Sequence, residues 1–331
     1  MVKVAIAGGT GVVGKTLADV LADQSKHEDI ILTRQVFFVA IYLIKPRITD
    51  HFTQELDVVK LPLPHFAVDY SDVASLTTFL EEHNVHTVIS AFGINAKSLA
   101  TSQMNLIKAA DASKTTKRFI PSSFAMTYPR DGLKILPPLQ SYFDSLDSLS
   151  KTRLEWAVVH NGTFLDYYFP STLKSYYNHG TVVVDIPNTA AGIPGTGDEL
   201  ITFTYTFDVA RFVVAALDRP AWPRELRIVG DTLTYNELIK LAENARGVKF
   251  DVKYDDLEKL RSFQITELPG HGKDYRKFPK EVLLPFLSIS QRWMAEGLGE
   301  VPLEGSLNKK FPDIKTLTAK ELMDQYWSHS E

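Results

Sequence analysis

Residues 2 to 24, VKVAIAGGTGVVGKTLADVLADQ, restrict the fold more than any other stretch. An apolar run rich in β-branched residues stops at Ala7. Gly8, Gly11 and Gly14 follow at a spacing of three, and apolar residues then recur at helical spacing from Val12 to Ala22. A strand that turns through glycines into a helix aims the helix's first amides, and the positive end of its dipole, at whatever occupies the turn. Phosphate suits such a place. Two patterns fit the same residues. GxxGxxG is a variant of the dinucleotide turn, whereas Gly9-TGVV-Gly14-Lys15-Thr16 completes the GxxxxGK[ST] loop of nucleotide triphosphatases. Local physics does not choose between them.

The rest of the first half alternates in the same way. Strands are expected at Ile30–Leu32, Thr87–Ala91, Arg118–Ile120 and Trp156–His160, and helices at Val73–Glu82 (capped by Ser71 or Asp72), Ala96–Ala112 and Leu139–Thr152. Continuous apolar strands between helices imply a parallel sheet covered on both faces, an α/β doubly wound fold. After Asn161 the rhythm loosens. TFTYTFD (202–208) reads as a strand running into Asp208 as the N-cap of a helix that ends near Leu217, and Arg227–Val229 as a strand returning to the sheet. Thr234-x-x-Glu237 and Thr318-x-x-Glu321 are capping boxes, with Gly247 closing the first helix, and more helices are expected near 255–267, 281–296 and 319–327. The expected division is a dinucleotide domain over 1–160 and a smaller lobe over 161–331 that holds substrate, with 207–230 rejoining the sheet.

At 331 residues, 44% hydrophobic and 23% charged, the chain is of ordinary globular make-up. A net charge of −4 gives no footprint for nucleic acid or an anionic membrane. The absence of cysteine excludes disulfides, thiolate metal sites and a cysteine nucleophile. The longest apolar run, VFFVAIYLI (36–44), is short of a membrane span, and a cytoplasmic monomer or homodimer is expected.

Context separates the two glycine patterns. A triphosphatase needs a second strand ending in aspartate to hold magnesium. Here the nearest apolar strands run into Ser90-Ala91-Phe92 and Pro121-Ser122-Ser123. A dinucleotide fold instead needs a discriminating residue about 20 positions on, at the end of the second strand. That residue is Arg34, in ILTR. An acidic side chain would take the ribose hydroxyls of NAD, whereas a guanidinium forks onto the 2′-phosphate of NADP, with Thr33 adding a hydroxyl. The expected cofactor is therefore NADP, with Gly8, Thr10, Gly11, Val12, Val13 and Gly14 around its pyrophosphate. Lys15 is left as a surface or secondary phosphate contact. Ala91, Phe92 and Gly93 lie along the dinucleotide, Gly93 allowing close backbone approach.

One segment is out of character. Residues 36–54, VFFVAIYLIKPRITDHFTQ, interrupt what would otherwise be a connection of normal length. Valine codons begin with GT, glutamine can be CAG, and Thr49-Asp50 can encode a branch-point-like ACTGAC, so a retained intron is one reading. An insertion packing as an extra strand is the other.

The Tyr-x-x-x-Lys pair of ordinary short-chain dehydrogenases is missing: Tyr142 is followed four residues on by Leu146, and Tyr128 by Gly132. GGTGVVG (8–14), ILTR (31–34), TVISAFG (87–93), RFIPSSFA (118–125), LEWAVVHNGTFLDYY (154–168) and FDVARFVVAALD (207–218) together resemble the NmrA-like and isoflavone-reductase-like group of atypical short-chain dehydrogenases. The resemblance implies a Rossmann domain with a small C-terminal lobe and NADPH as hydride donor. It implies reduction of phenolic or polyketide-like molecules, or, in some members, dinucleotide sensing without catalysis. It also places Asn161, Gly162 and Phe164 beside the nicotinamide. The group's reductases carry a lysine fourteen residues before the position of Trp156, where this chain has Tyr142, and PSEFG where this chain has PSSFA. Tyr142 is thus either a proton donor or a half-buried packing residue against Leu146 and Leu149. Ser122 and Ser123 either bind the nicotinamide ribose or a substrate oxygen, or form a turn. Tyr167, Tyr168, Tyr176 and Tyr177 either line an apolar pocket for a flat substrate or pack the lobe. His83-x-x-His86 lacks a third ligand, so no metal is expected.

Overall fold

The computed structural model describes residues 2–34, 62–93, 98–177, 180–276 and 278–328. The anomalous segment 36–54 lies outside the described residues. The central sheet is built from β1 (Lys3–Ala7), β2 (Glu28–Arg34), β3 (His65–Val68), β4 (Thr87–Ser90), β5 (Arg118–Ile120) and β6 (Glu155–Trp156) in the order β3-β2-β1-β4-β5-β6, every pair parallel. This is the order of a dinucleotide-binding Rossmann sheet, whose ligand crevice opens where the strand order reverses, between β1 and β4. The sequence explains the burial: Val4 to Ala7 and Thr87 to Ser90 are wholly inside, as central parallel strands covered on both faces must be. α1 (Val12–Gln24), α2 (Val73–Glu82), α3 (Met104–Ala112) and α4 (Gln140–Leu149) are the connecting helices. Asp72 caps α2 by accepting the Ser75 N–H at 3.0 Å. A π-helical turn at Ser98–Gln103 leads into α3.

The strand expected over Trp156–His160 changes partners midway. β6 pairs with β5, and β7 (Val158–His160) pairs in parallel with a strand 67 residues further on. Beyond β7 come β8 (Thr163–Phe164), β9 (Val184–Asp185), β10 (Ala190–Pro194), β11 (Ile201–Thr204), α5 (Thr206–Ala216) and then β12 (Glu225–Arg227), that late partner of β7. β12 begins two residues before the expected strand at Arg227. β13 (Asp231–Leu233), α6 (Tyr235–Arg246) and β14 (Asp251–Asp255) complete two small sheets, β13-β11-β8 and β14-β10-β9. The capping box at Thr234 and the left-handed Gly247 bound α6. Of the late helices, α7 (Leu257–Arg261) stops well short of the expected 267 because Phe263 takes φ +57°, outside the helical region. α8 (His271–Asp274), α9 (Lys280–Trp293), α10 (Leu307–Lys310) and α11 (Ala319–Tyr326) follow, the last opened by the Thr318 box.

Asp208 does not cap α5. Tyr205 occupies that position, and Asp208 lies in the first turn, fully buried, pairing with Arg211 and accepting the Leu317 N–H at 2.8 Å. The cap comes from outside the helix: Asp166 accepts the Thr206 N–H at 2.9 Å and is also hydrogen-bonded by the Thr206 and Ser175 hydroxyls. A carboxylate at a helix N-terminus is favoured by the dipole, which offsets part of the cost of burying it.

Asp29, second residue of β2, is 7% exposed and one of its carboxyl oxygens has no partner. Burial, with Glu28 alongside, lifts its carboxyl from 3.8 to about 7. Between those values the folded chain binds more protons than the unfolded one, so stability falls as pH rises through this window. Asp29→Asn is expected to leave thermal stability unchanged near pH 4 and to raise it at pH 8 by on the order of 2–4 kcal/mol. Equal gains at both pH values in thermal unfolding would show that Asp29 is not the titrating group.

Candidate functional site

Gly8 follows β1 at φ +81°, and a Cβ there would stand 2.7 Å from the Ala91 carbonyl oxygen. The Gly8 carbonyl accepts the Gly11 N–H at 2.9 Å, and a Cβ on Gly14 would lie 2.3 Å from that same carbonyl oxygen. The turn is therefore pressed against the end of β4 on one side and against its own helix on the other. Gly11 is the N-cap of α1, no side chain caps the helix, and its first turn carries no acidic residue. Thr10 and Gly11 are exposed, Val12 and Val13 half-buried. Among the described residues, the start of α1 thus presents its opening amides without a side-chain acceptor.

The register sets the other walls. Ala7 lies opposite Leu32 of β2 and Ser90 of β4, so Thr33–Arg34 and Ala91–Gly93 leave the sheet beside the glycine turn. The Thr33 hydroxyl donates to the Phe66 carbonyl at 3.2 Å, and Arg34 is exposed at the end of its strand. The Arg34 charge acts on the Tyr70 phenol, which donates to the Leu32 carbonyl at 3.1 Å and packs edge-on against Phe92 at 5.1 Å. Ala91 donates its N–H to Ala7 at 2.8 Å, and the Phe92 carbonyl accepts the Ser122 hydroxyl at 2.6 Å.

At the far end of the crevice Ser122 and Ser123 are buried and hydrogen-bonded to the chain. The Ser122 N–H donates to Gln103 Oε1 at 2.9 Å, while Ser123 Oγ donates to the Pro121 carbonyl and accepts the Val159 N–H at 2.9 Å. Asn161 is fully buried. Its N–H donates to Ala125, its carbonyl accepts the Thr204 hydroxyl at 2.8 Å, and its side-chain oxygen has no partner. Gly162 takes φ +70°, and a Cβ there would fall 2.2 Å from the Thr202 carbonyl oxygen. Phe164 is buried with its ring 5.0 Å from that of Tyr177.

Tyr142, on α4, is 5% exposed, more deeply set than the half-buried position expected, because Tyr128 closes over it edge-on at 5.4 Å. Burial, and then the Glu225 carboxylate, pushes its phenol up to about 12. The four late tyrosines divide. Tyr167 and Tyr177 are half-buried and 4.8 Å apart ring to ring. Tyr168 is turned into the lobe core, its hydroxyl 3.2 Å from that of Tyr235. Tyr176 reaches back to α1, donating to Asp19 at 2.8 Å with the Lys15 ammonium 5.5 Å from its ring centre; Lys174 joins Asp19 at 3.6 Å. A cavity of about 130 Å³ continues from Tyr167 toward Thr181, Asp185 and Lys273. His83 stacks on Phe79, and His86 Nδ1 meets the Thr87 hydroxyl at 2.9 Å. Among the described residues no group of three or more histidine or carboxylate side chains could hold a metal, and no helix is long and apolar enough to cross a membrane. Asp166, Gln103 and the closure of Tyr128 over Tyr142 were not foreseen from sequence. An aspartate inside the aromatic run FLDYYF was the one available signal for Asp166.

Residues 2–273 match the model of the NmrA-like family. Among curated proteins, the oxidoreductase BOA1 of Botryotinia fuckeliana is 36% identical over 95% of this chain and 96% of its own length. The phenylcoumaran benzylic ether reductase IRL1 of Ginkgo biloba is 25% identical over 98% of each. Among solved structures, the binary complex of leucoanthocyanidin reductase with NADPH from Vitis vinifera superposes with a TM-score of 0.71 at 17% identity over 98% of both chains. AtPrR2 with NADP⁺ and (+)-pinoresinol superposes with a TM-score of 0.69 at 19% identity over 98% of both.

Proposed function

Because the chain belongs to the NmrA-like family, we propose that it is an NADPH-dependent oxidoreductase that reduces an aromatic or polyketide-like small molecule. The observation that carries this reading is Arg34, exposed at the end of β2 beside the uncapped start of α1. Relatives named as reductases along nearly their whole length, and structural neighbours solved with NADPH or NADP⁺, support it. The residues fit the dinucleotide. The amides of Val12 and Val13 suit the pyrophosphate, with Gly8, Thr10, Gly11 and Gly14 shaping the cradle. Thr33 and Arg34 suit the 2′-phosphate, and Ala91, Phe92 and Gly93 flank the dinucleotide. Asn161, Gly162 and Phe164 form the nicotinamide end, where the unpartnered Asn161 oxygen suits the carboxamide N–H. NADPH supplies the hydride when bound. Residues 1–160 hold all of it but the nicotinamide end, and 161–331 supply that end and the substrate lobe.

In this reading the proton comes from a phenol rather than an ammonium group. Tyr142 stands at the reductases' lysine position, but Tyr128 covers it; Tyr167 and Tyr177, half-buried and packed against the Phe164 ring, are the phenols assigned the donor role. Each phenol is a weak acid here, yet an alkoxide or carbanion formed by hydride addition is more basic still, so transfer runs downhill. Ser122 and Ser123 hold the end of β5 in place through their bonds to Phe92, Gln103 and Val159. Tyr177→Phe is expected to lower turnover roughly 100-fold with unchanged NADPH affinity. Unaltered turnover would pass the role to Tyr142.

The test is NADPH binding followed by fluorescence, then nicotinamide absorbance across a panel of phenolic and quinonoid substrates. The burial of Tyr142 favours a second reading, a catalytically silent NADP(H)-sensing regulator. Tight binding without turnover on any substrate would select it.

A further inference from the structure

At the opposite end of the sheet from the crevice, where the central strands begin, lies an open cavity of about 520 Å³ lined by His27, His86, Lys117, Arg153 and Arg219 among others. Its two carboxylates are already engaged. Glu155 accepts from Arg118 Nε at 2.5 Å and from the Trp222 N–H at 2.6 Å, and Asp218 is paired with Lys26. The Arg118 guanidinium is further occupied by the carbonyls of Leu217, Arg219 and Pro220, and Arg153 pairs with Asp111 at 3.7 Å. The donors left over are of one kind. Lys117 Nζ reaches only the Lys114 carbonyl among the described hydrogen bonds, so its charge is not neutralised there. Arg219 Nε is buried without a hydrogen-bond partner. The His27 side chain is 2% exposed and its Nε2 likewise has no hydrogen-bond partner, the nearest acidic oxygen being Asp218 Oδ1 at 3.8 Å. Its Nδ1 faces the Val2 N–H at 3.5 Å, which assigns the imidazole proton to Nε2.

A buried N–H with no partner costs about 1–3 kcal/mol, and this cavity gathers two of them beside an uncompensated ammonium. We propose that it is a second ligand site, distinct from the dinucleotide crevice, that takes the dianionic head of phosphate or a phosphomonoester. His27 Nε2 and Arg219 Nε donate to the phosphate oxygens, and Lys117 balances their charge. The volume falls in the range of small-molecule pockets and leaves room for an organic group behind a phosphoryl head.

The experiment is calorimetric titration of the full chain with inorganic phosphate, and separately with glycerol 3-phosphate, at fixed ionic strength, with and without saturating NADPH. One site per chain is expected, retained when NADPH is present, and weakened about tenfold or more in Arg219→Gln with NADPH affinity unchanged. Lys117→Gln, at an exposed position, is the second variant should Arg219→Gln fail to fold, and is expected to weaken binding in the same direction. A signal abolished by NADPH would place the anion at the glycine turn and overturn the proposal. So would no binding at millimolar anion, or equal affinity in wild type and both variants. Loss of NADPH binding with phosphate binding intact would count against the reductase reading alone.

Discussion

Arg34→Asp is expected to weaken NADPH binding roughly 100-fold or more while changing NADH affinity less than about fivefold. A charge-assisted pair of hydrogen bonds to phosphate contributes about 1.5–3 kcal/mol, and an aspartate at the same place repels the phosphate instead. NADH lacks that group, so it loses only long-range attraction at an exposed strand end, where water and salt screen charge. Arg34 leaves β2 opposite Val68, so the substitution disturbs no buried contact and the folded state is expected to hold. Fluorescence titration of both coenzymes checks this, and equal losses for the two would remove the 2′-phosphate role.

Gly14→Ala sets two effects against each other. Within α1, alanine is preferred to glycine by about 1 kcal/mol. The added Cβ would lie 2.3 Å from the Gly8 carbonyl oxygen and 2.7 Å from Gly9 Cα, both backbone atoms that have no other rotamer to adopt. Forced overpacking of this kind costs about 1–3 kcal/mol or more, so the clash outweighs the propensity. Relief requires the turn to lift off the helix, and the lifted turn no longer holds its amides in place. The expected result is a lower melting temperature together with NADPH affinity reduced on the order of 10- to 100-fold. Unchanged affinity in Gly14→Ala would mean that the tight turn does not form the cofactor cradle.

The first half of the chain was legible because its signals are local. Strand, turn and helix meet within residues 3–24. The Asp72 cap and the Thr234 and Thr318 boxes each involve residues three apart. What could not be read from sequence depends on distant partners. Asp208 looks like a cap by position, but the carboxylate that fills that role, Asp166, comes from 40 residues upstream and meets the helix only in the folded lobe. The strands of the small sheets are two to five residues long, and AAGIP (190–194) is buried throughout, so no alternation marks it. Tyr142 could be placed on a helix face from its own sequence, whereas its depth is set by Tyr128 fourteen residues earlier. Likewise, the tyrosine cluster could be noticed from sequence, but its division into a pair packed on Phe164, a core residue and a tie to α1 is a property of the lobe as folded.

The pairing of β7 with β12 has a consequence for biosynthesis. While the nascent chain is being made, the edge of β7 that β12 covers stays bare until Arg227 has emerged, although all six strands of the central sheet precede β7. A bare, apolar edge (Val158 and Val159 are both buried in the finished protein) is a template for pairing with another copy. Fragments that end before residue 225 therefore carry an unsatisfied edge and are expected to be recovered as aggregates, so expression boundaries for this protein belong after that strand, not at the close of the first βα repeats.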